Sequence, residues 1–139
     1  SGTVIVDADG INALISHKDI LRRRTATTII TPHEGEFVRF GGDLKQGRAE
    51  GAKQMAEDLG CIVVLKGHNT LITDGKTSYL NTTGNPGMAT GGSGDVLAGI
   101  ITALVGQGIE PIEAAAAGVW LHGAAGDRAA ASHVRRLPG

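Results

Sequence analysis

Short apolar runs alternate with longer stretches of mixed polarity along the chain, and this alternation predicts strands separated by helices. Three runs rich in β-branched residues have the length of strands: residues 3–6, 27–30 and 61–65. The third run is wholly apolar, which is typical of a parallel strand that helices cover on both faces. Residues 70–73 and 77–80 flank Asp74-Gly75, a dipeptide that predicts a β-hairpin with a two-residue turn.

Helical spacing of apolar residues separates these strands. Four segments show it, the first of them weakly: residues 11–20, 43–59, 95–105 and 112–131. Asp43 and Gly60 are the expected N-cap and C-cap of the second segment, and Pro111 opens the last. Strands that alternate with helices predict an α/β sandwich with a mostly parallel sheet.

Composition narrows the class of protein. The chain has 139 residues, 41% hydrophobic and 19% charged, which is ordinary for one globular domain at most. A net charge of −1 gives no reason to expect nucleic acid or an anionic membrane as a partner, so a small substrate is favoured. The single cysteine, Cys61, begins an apolar run and is expected to be a buried thiol in a reducing cytoplasm. No apolar run approaches the roughly 18 residues of a membrane span.

The most unusual segment is a glycine-rich loop. Residues 84–95 read Gly-Asn-Pro-Gly-Met-Ala-Thr-Gly-Gly-Ser-Gly-Asp and lead into a predicted helix. Glycines let backbone N–H groups approach an anion, and a helix N-terminus directs its positive dipole end at the same place. Asp95 would be a base beside a bound phosphate, which indicates phosphoryl transfer. Its alternative role is a helix cap.

Lys66-Gly67 follows the buried strand, where the ligand crevice of an α/β fold usually lies, so a phosphate or nucleotide contact is favoured for Lys66. Lys76 resembles it only superficially, because a P-loop needs a glycine at position 70 and Thr70 stands there. Lys76 is better explained as an exposed residue of the hairpin.

Other polar residues follow the first two strands. Asp7 and Asp9 would point to opposite faces if the strand continued through them, so only one could line a cleft, and either could simply form a turn. His33 is as well explained by a ligand contact as by a structural role. The histidines are scattered, and no zinc motif is present.

Four blocks in this order resemble the C-terminal half of the ADP- or ATP-dependent NAD(P)HX dehydratase family, and the last is highly specific. They are residues 6–12 (Val-Asp-Ala-Asp-Gly-Ile-Asn), 31–37 (Thr-Pro-His-Glu-Gly-Glu-Phe), 64–70 (Val-Leu-Lys-Gly-His-Asn-Thr) and 84–97. The resemblance implies that residues 1–139 are the C-terminal portion of a single ribokinase-like domain. The expected fold is a partial three-layer α/β/α sandwich.

The resemblance also implies a carbon–oxygen lyase that returns S-NADHX and S-NADPHX to NADH and NADPH, with Asp95 as catalytic base. Asp95 would contact the substrate together with His33, Glu36 and Arg39. The nucleotide, ADP or ATP, would bind to Lys66, Gly67, His68, Asn69, Thr70, Gly91, Gly92, Ser93 and Gly94. Mg²⁺ is expected, with no residue assignable as its ligand.

The same resemblance implies a cytoplasmic homo-oligomer, a tetramer, that works with an NAD(P)HX epimerase, fused or separate. Two alternatives stay open at this point. One is a ribokinase-like kinase that phosphorylates a hydroxymethyl group of a vitamin precursor, and the other is a nucleotide-binding fragment without turnover.

Overall fold

The computed structural model describes residues 2–83 and 93–135, which form five strands and six helices. The strands are β1 (Val4–Val6), β2 (Thr28–Ile30), β3 (Ile62–Leu65), β4 (Thr70–Thr73) and β5 (Ser78–Asn81). The helices are α1 (Ala8–Leu14), α2 (Lys18–Arg23), α3 (Glu34–Arg39), α4 (Arg48–Leu59), α5 (Ser93–Gly106) and α6 (Pro111–Arg135).

The strands form one sheet in the order β1-β2-β3-β4-β5. β1, β2 and β3 run parallel, whereas β4 and β5 are antiparallel to their neighbours and form the predicted hairpin. Parallel neighbours require a crossover, and helices α1 to α4 supply both crossovers within the described chain. The predicted strands and the largely parallel sheet are therefore confirmed.

Successive side chains of the central strands enter different cores, because side chains alternate across a sheet. Ile30, Val63 and Leu65 pack in a core with side chains of α1 to α4, including Phe37 and Leu59. Residues of opposite parity pack against α5 and α6: Ile29, Ile62, Val64 and Ile72 meet Leu97, Ile101, Ala114, Ala115 and Val119. Helices thus cover both faces of the sheet, which confirms the three-layer α/β/α arrangement.

The start of α4 differs from the prediction. Asp43 is not its N-cap, because the helix begins at Arg48 after Gly47, whose φ of 100° is in the region that favours glycine. Asp43 instead accepts a hydrogen bond from the Lys45 N–H at 2.8 Å and stabilises a turn before the helix. The C-terminal prediction is confirmed, since Gly60 is a left-handed C-cap.

The segment predicted as one weak helix over residues 11–20 overlaps two short helices, α1 and α2. α1 begins at Ala8 directly after β1, with Asp7 at its N-cap position. Because β1 ends at Val6, the strand does not continue through Asp7 and Asp9, and strand alternation does not govern their directions.

Helix α3 was not predicted. Its N-cap is His33, whose Nδ1 accepts a hydrogen bond from the Glu36 N–H at 3.2 Å, while Glu36 Oε1 accepts one from the His33 N–H at 3.0 Å. This reciprocal pair is a capping box in which histidine takes the place of the usual Ser or Thr. A helix of six residues is too short for its apolar spacing to reveal it.

The hairpin turn is longer than predicted. β4 and β5 pair Thr73 with Ser78, so four residues, 74–77, connect them instead of two. Cys61 is buried as expected, and burial raises the pKa of its thiol to about 12. Across residues 2–83 and 93–135, no helix combines the length and apolar character needed to span a membrane.

Candidate functional site

Polar side chains collect where the three parallel strands end, because such strands bring their carboxyl ends to one edge of the sheet. β1 leads into Asp7, β2 into Thr31 and His33, and β3 into Lys66. Backbone pairing continues one step past the strands: the Thr31 N–H donates to the Val6 carbonyl at 3.1 Å, and the Lys66 N–H donates to the Pro32 carbonyl at 2.8 Å. The backbone therefore fixes these residues side by side.

Asp7 is the centre of this edge. Its Oδ1 accepts a hydrogen bond from the Thr31 hydroxyl at 2.9 Å and lies 3.5 Å from Lys66 Nζ. The Asp7 and Lys66 side chains are only 22% and 25% exposed, and Thr31 is buried. A part-buried ion pair is screened less by water and salt than a surface pair is.

The first turn of α5 packs directly on this ion pair. A methyl group at Gly94 would lie 2.7 Å from Asp7 Oδ2 and 3.3 Å from Lys66 Nζ. Glycine therefore allows the helix start to approach both charges. We refer to Asp7, Thr31, Lys66 and Gly94 as the edge cluster. The next residue, Asp95, is exposed in the first turn of α5 beside this cluster.

His33 stands next to the edge cluster, since it forms a parallel β-bridge with Lys66. Its Nδ1 accepts the Glu36 N–H, so the ring proton of neutral His33 lies on Nε2. The imidazole is 57% exposed, whereas the Glu36 side chain is 4% exposed. The fold thus holds His33 in one orientation, with a ring that is more than half exposed and an Nε2 atom 3.7 Å from Glu36 Oε1.

Arg48 stabilises the loop that follows β3 by hydrogen bonds to its backbone. From α4 it donates hydrogen bonds to the Asn69 carbonyl at 2.6 Å and the Leu65 carbonyl at 3.2 Å. Its Nε also lies 2.6 Å from Glu34 Oε2 of α3. A methyl group at Gly67 would lie 2.6 Å from the Arg48 guanidinium, so this glycine lets the loop pack on the arginine.

Helix α6 borders the site as well. Burial, and then the positive charge of Lys66, lower the pKa of His122. The neighbouring Gly123 packs against Thr83, the last residue before the segment outside the described chain.

The residues proposed from sequence are distributed as follows. His33, Lys66, Gly94 and Asp95 gather at the edge, Gly67, His68 and Asn69 form the adjoining loop, and Thr70 begins β4. Arg39 is exposed at the far end of α3, about 9 Å along the helix axis from His33. Gly91 and Gly92 are outside the described residues, and of Ser93 only the backbone, which begins α5, is described.

Sequence reasoning did not find the parts played by Thr31, Arg48 and His122, and it left Asp7 undecided. The position of Asp7 at a strand end was the only usable signal. The described residues contain no cluster of three or more His, Cys, Asp or Glu side chains suited to a metal ion. Their chemistry, an ammonium and a helix N-terminus at one edge, suits a phosphate.

Comparison with known proteins connects this edge to a family. Residues 1–138 match the family model described as NAD(P)H-hydrate dehydratase. The chain is 46% identical over 138 residues to the bifunctional NAD(P)H-hydrate repair enzyme Nnr of Moorella thermoacetica, covering 95% of this chain and 26% of that protein. It is 44% identical over 131 residues to the ADP-dependent (S)-NAD(P)H-hydrate dehydratase of Neisseria meningitidis, covering 89% of this chain and 44% of that protein.

Solved structures agree. A ribokinase-like superfamily protein of Enterococcus faecalis superposes with a TM-score of 0.77 at 36% identity, covering 91% of this chain and 44% of that one. The ADP/ATP-dependent NAD(P)H-hydrate dehydratase of Bacillus subtilis, co-crystallised with ATP/Mg²⁺, gives 0.72 at 38% identity, covering 88% and 44%. The chain spans less than half the length of each of these relatives. Its fold is ribokinase-like, and the chain belongs to the NAD(P)H-hydrate dehydratase family.

Proposed function

We propose that the protein containing this chain dehydrates S-NADHX and S-NADPHX to NADH and NADPH at the expense of ADP or ATP. The observation that carries the proposal is the meeting of Lys66, His33 and the Gly94–Asp95 start of α5 at one edge of the sheet. Such an edge can hold a phosphate next to an acceptor hydroxyl. Family membership then indicates which hydroxyl that is.

Asp95 is the proposed base. Its carboxylate is exposed, and the first turn of α5 places it at the positive end of the helix dipole. It takes the proton of the hydrate hydroxyl while that oxygen bonds to the terminal phosphorus, and the bond from phosphorus to AMP or ADP breaks. Phosphate then leaves with the electrons of the carbon–oxygen bond, and loss of a proton from the adjacent carbon restores the ring double bond.

Lys66 and the first N–H groups of α5 are the proposed phosphate contacts, since both supply positive charge at the same point. The loop of Gly67, His68 and Asn69 and the start of β4 at Thr70, together with Gly91, Gly92, Ser93 and Gly94, would hold the remainder of the nucleotide. Mg²⁺ would neutralise the phosphate charge, and we assign no protein ligand to it. The Neisseria relative is named for ADP and the Bacillus protein was co-crystallised with ATP/Mg²⁺, which supports nucleotide use.

On the substrate side, His33 would donate its Nε2 proton to an oxygen of the hydrated cofactor. Glu36 would act mainly by holding His33: its backbone N–H donates to the imidazole Nδ1, and its buried side chain accepts the His33 backbone N–H at Oε1. Arg39, exposed at the end of α3, is proposed to contact a more distant anionic part of the dinucleotide.

We propose an NAD(P)HX epimerase, fused or separate, as the functional partner, and the names of several relatives, bifunctional NAD(P)H-hydrate repair enzymes, support such a partner. We propose that this chain is the C-terminal portion of the dehydratase domain, that it works with the epimerase in the cytoplasm, and that the protein is a tetramer.

An absorbance assay tests the proposal. The protein is mixed with S-NADHX, Mg²⁺ and ADP or ATP, and the return of NADH absorbance is followed together with phosphate release. We expect one NADH and one phosphate for each nucleotide consumed. A stable phosphorylated product with no NADH would indicate a small-molecule kinase, and binding without turnover would indicate a nucleotide-binding module; either result would overturn the proposal.

A further inference from the structure

Asp7 contacts two residues of the proposed phosphate site without being assigned to that site itself. Its Oδ1 lies 3.5 Å from Lys66 Nζ, and its Oδ2 would lie 2.7 Å from a methyl group at Gly94. The carboxylate directly follows β1, the ammonium directly follows β3 and the glycine is in α5. Three separate elements of the fold therefore meet at one side chain.

The Asp7 carboxylate is held firmly. Thr31, which is buried, donates its hydroxyl to Oδ1 at 2.9 Å, and the backbone of Asp7 is fixed at the N-cap position of α1. These restraints favour one position of the Asp7 carboxylate in the ligand-free protein. The carboxylate sets the position of the groups that pack on it.

The charges of Lys66 and of the α5 N-terminus explain why a carboxylate is needed between them. Lys66 and the N-terminus of α5 are both positive and repel each other when brought to the same point. A carboxylate between them attracts both, so the ammonium and the helix start can stay close enough together to bind one phosphate.

We propose that Asp7 is a positioning residue: its carboxylate holds the Lys66 ammonium against the first turn of α5 at Gly94 and so directs Lys66 to the phosphates and Asp95 to the acceptor hydroxyl. This inference rests on the proposed function for its catalytic part. Its structural part, the three-way contact, stands on geometry alone and can be tested without substrate.

The first test measures the contact in the ligand-free protein. Gly94→Ala would push the carboxylate off Thr31 and Lys66, and we expect the melting temperature to fall by about 3 °C. In an Asp7→Ala background the obstructing oxygen is gone, so the same change should have no cost. Gly99→Ala is the matched control, because that glycine is in the same helix with nothing within 4 Å of the added methyl group. An equal fall in melting temperature from Gly94→Ala in the wild-type and Asp7→Ala proteins would overturn the proposed contact.

The second test asks whether Asp7 acts through Lys66. Asp7→Asn keeps the shape and an acceptor for Thr31 but removes the charge, and we expect the Kd for ADP, measured by calorimetry without Mg²⁺, to rise about tenfold. In a Lys66→Gln background the same change should alter the Kd less than twofold. Asp58→Asn, which breaks a surface ion pair with Arg22, is the control and should have no effect.

The outcomes separate this inference from the proposed function. Independent, multiplying losses for Asp7→Asn and Lys66→Gln would mean that Asp7 acts directly, and a loss confined to samples with Mg²⁺ would make it a metal ligand; both overturn positioning. If the coupling is present while S-NADHX gives no NADH, the proposed function fails and the positioning role stands.

Discussion

The two loops at the ends of β4 use the same residue types in different ways. The loop before β4 carries Lys66, whose ammonium lies 3.5 Å from Asp7, a residue 59 positions away in the sequence. The turn after β4 carries Asp74 and Lys76, and Asp74 Oδ1 accepts the N–H groups of Lys76 at 2.8 Å and Thr77 at 2.7 Å. Lys66 pairs with a carboxylate that is distant in the sequence. Lys76, in contrast, belongs to a turn that is stabilised by hydrogen bonds from the turn's own backbone N–H groups to Asp74.

The difference shows how to separate a site from a turn. In the turn, the Thr77 N–H lowers the pKa of Asp74 most, and that hydrogen bond forms as soon as the chain bends. At the edge of the sheet, the Asp7–Lys66 pair forms only when β1 and β3 are assembled on either side of β2. Charges brought together by distant elements indicate a functional site more strongly than charges within one turn do.

The largest contrast is expected between two aspartates. Asp95→Asn removes the proposed base, so kcat should fall about 10²–10⁴-fold while the Kd for ADP changes less than about twofold. Asp74→Asn keeps an acceptor for the turn and should leave kcat unchanged. Steady-state NADH formation and calorimetry measure both quantities. Near-normal kcat in Asp95→Asn would remove this residue from the mechanism.

The next largest contrast is expected between substitutions of two lysines, Lys66 and Lys76. Lys66→Met should lower kcat/KM for the nucleotide about 10²-fold, because one charged phosphate contact is lost. Lys76→Met should have no effect, since this exposed side chain belongs to the turn. Kinetics at several salt concentrations should show a weaker salt dependence only in Lys66→Met. Similar losses in both variants would contradict the distinction between the loops.

A smaller effect is expected when the loop before β4 loses its hydrogen bonds with Arg48. Arg48→Met removes hydrogen bonds to the Asn69 and Leu65 carbonyls, so KM for the nucleotide should rise about fivefold and the free energy of unfolding should fall by about 2 kcal/mol. Arg22→Met breaks only a surface pair with Asp58 and is the control. If KM were unchanged in Arg48→Met despite the lost stability, the loop would not depend on this arginine for nucleotide binding.

The smallest expected effect is on stability as a function of pH. Burial and the charge of Lys66 lower the pKa of folded His122 below 6.5, so the unfolded state binds more protons as the pH falls through 6.5. The free energy of unfolding should therefore decrease slightly between pH 7.5 and pH 5.5. Urea unfolding of His122→Gln should show a smaller decrease, and a larger one would contradict the assigned direction.

Much of the fold could be predicted from local signals. The apolar runs predicted β2 and β3, and Gly60 predicted the end of α4, because strand burial and helix capping depend on neighbouring residues. Helix α3 was missed since its capping box uses His33. Asp43 was misplaced as an N-cap because the same side chain also suits a turn.

The site was predictable only in part for a different reason. Lys66 and Asp95 could be named from their positions after a strand and before a helix. The contacts of Asp7 with Lys66 and of Arg48 with Asn69 could not, because they join residues 59 and 21 positions apart. Such contacts depend on how helices and strands pack against each other, and local patterns in a single sequence do not determine that packing.

In the proposed reaction, the hydroxyl of the hydrate, and not water, receives the phosphoryl group. S-NADHX labelled with ¹⁸O at that hydroxyl tests it directly when the protein turns it over with ADP in unlabelled water. Since the carbon–oxygen bond breaks after the oxygen has bonded to phosphorus, we predict that every phosphate released carries one ¹⁸O, detected by mass spectrometry. Unlabelled phosphate together with labelled water would contradict the account.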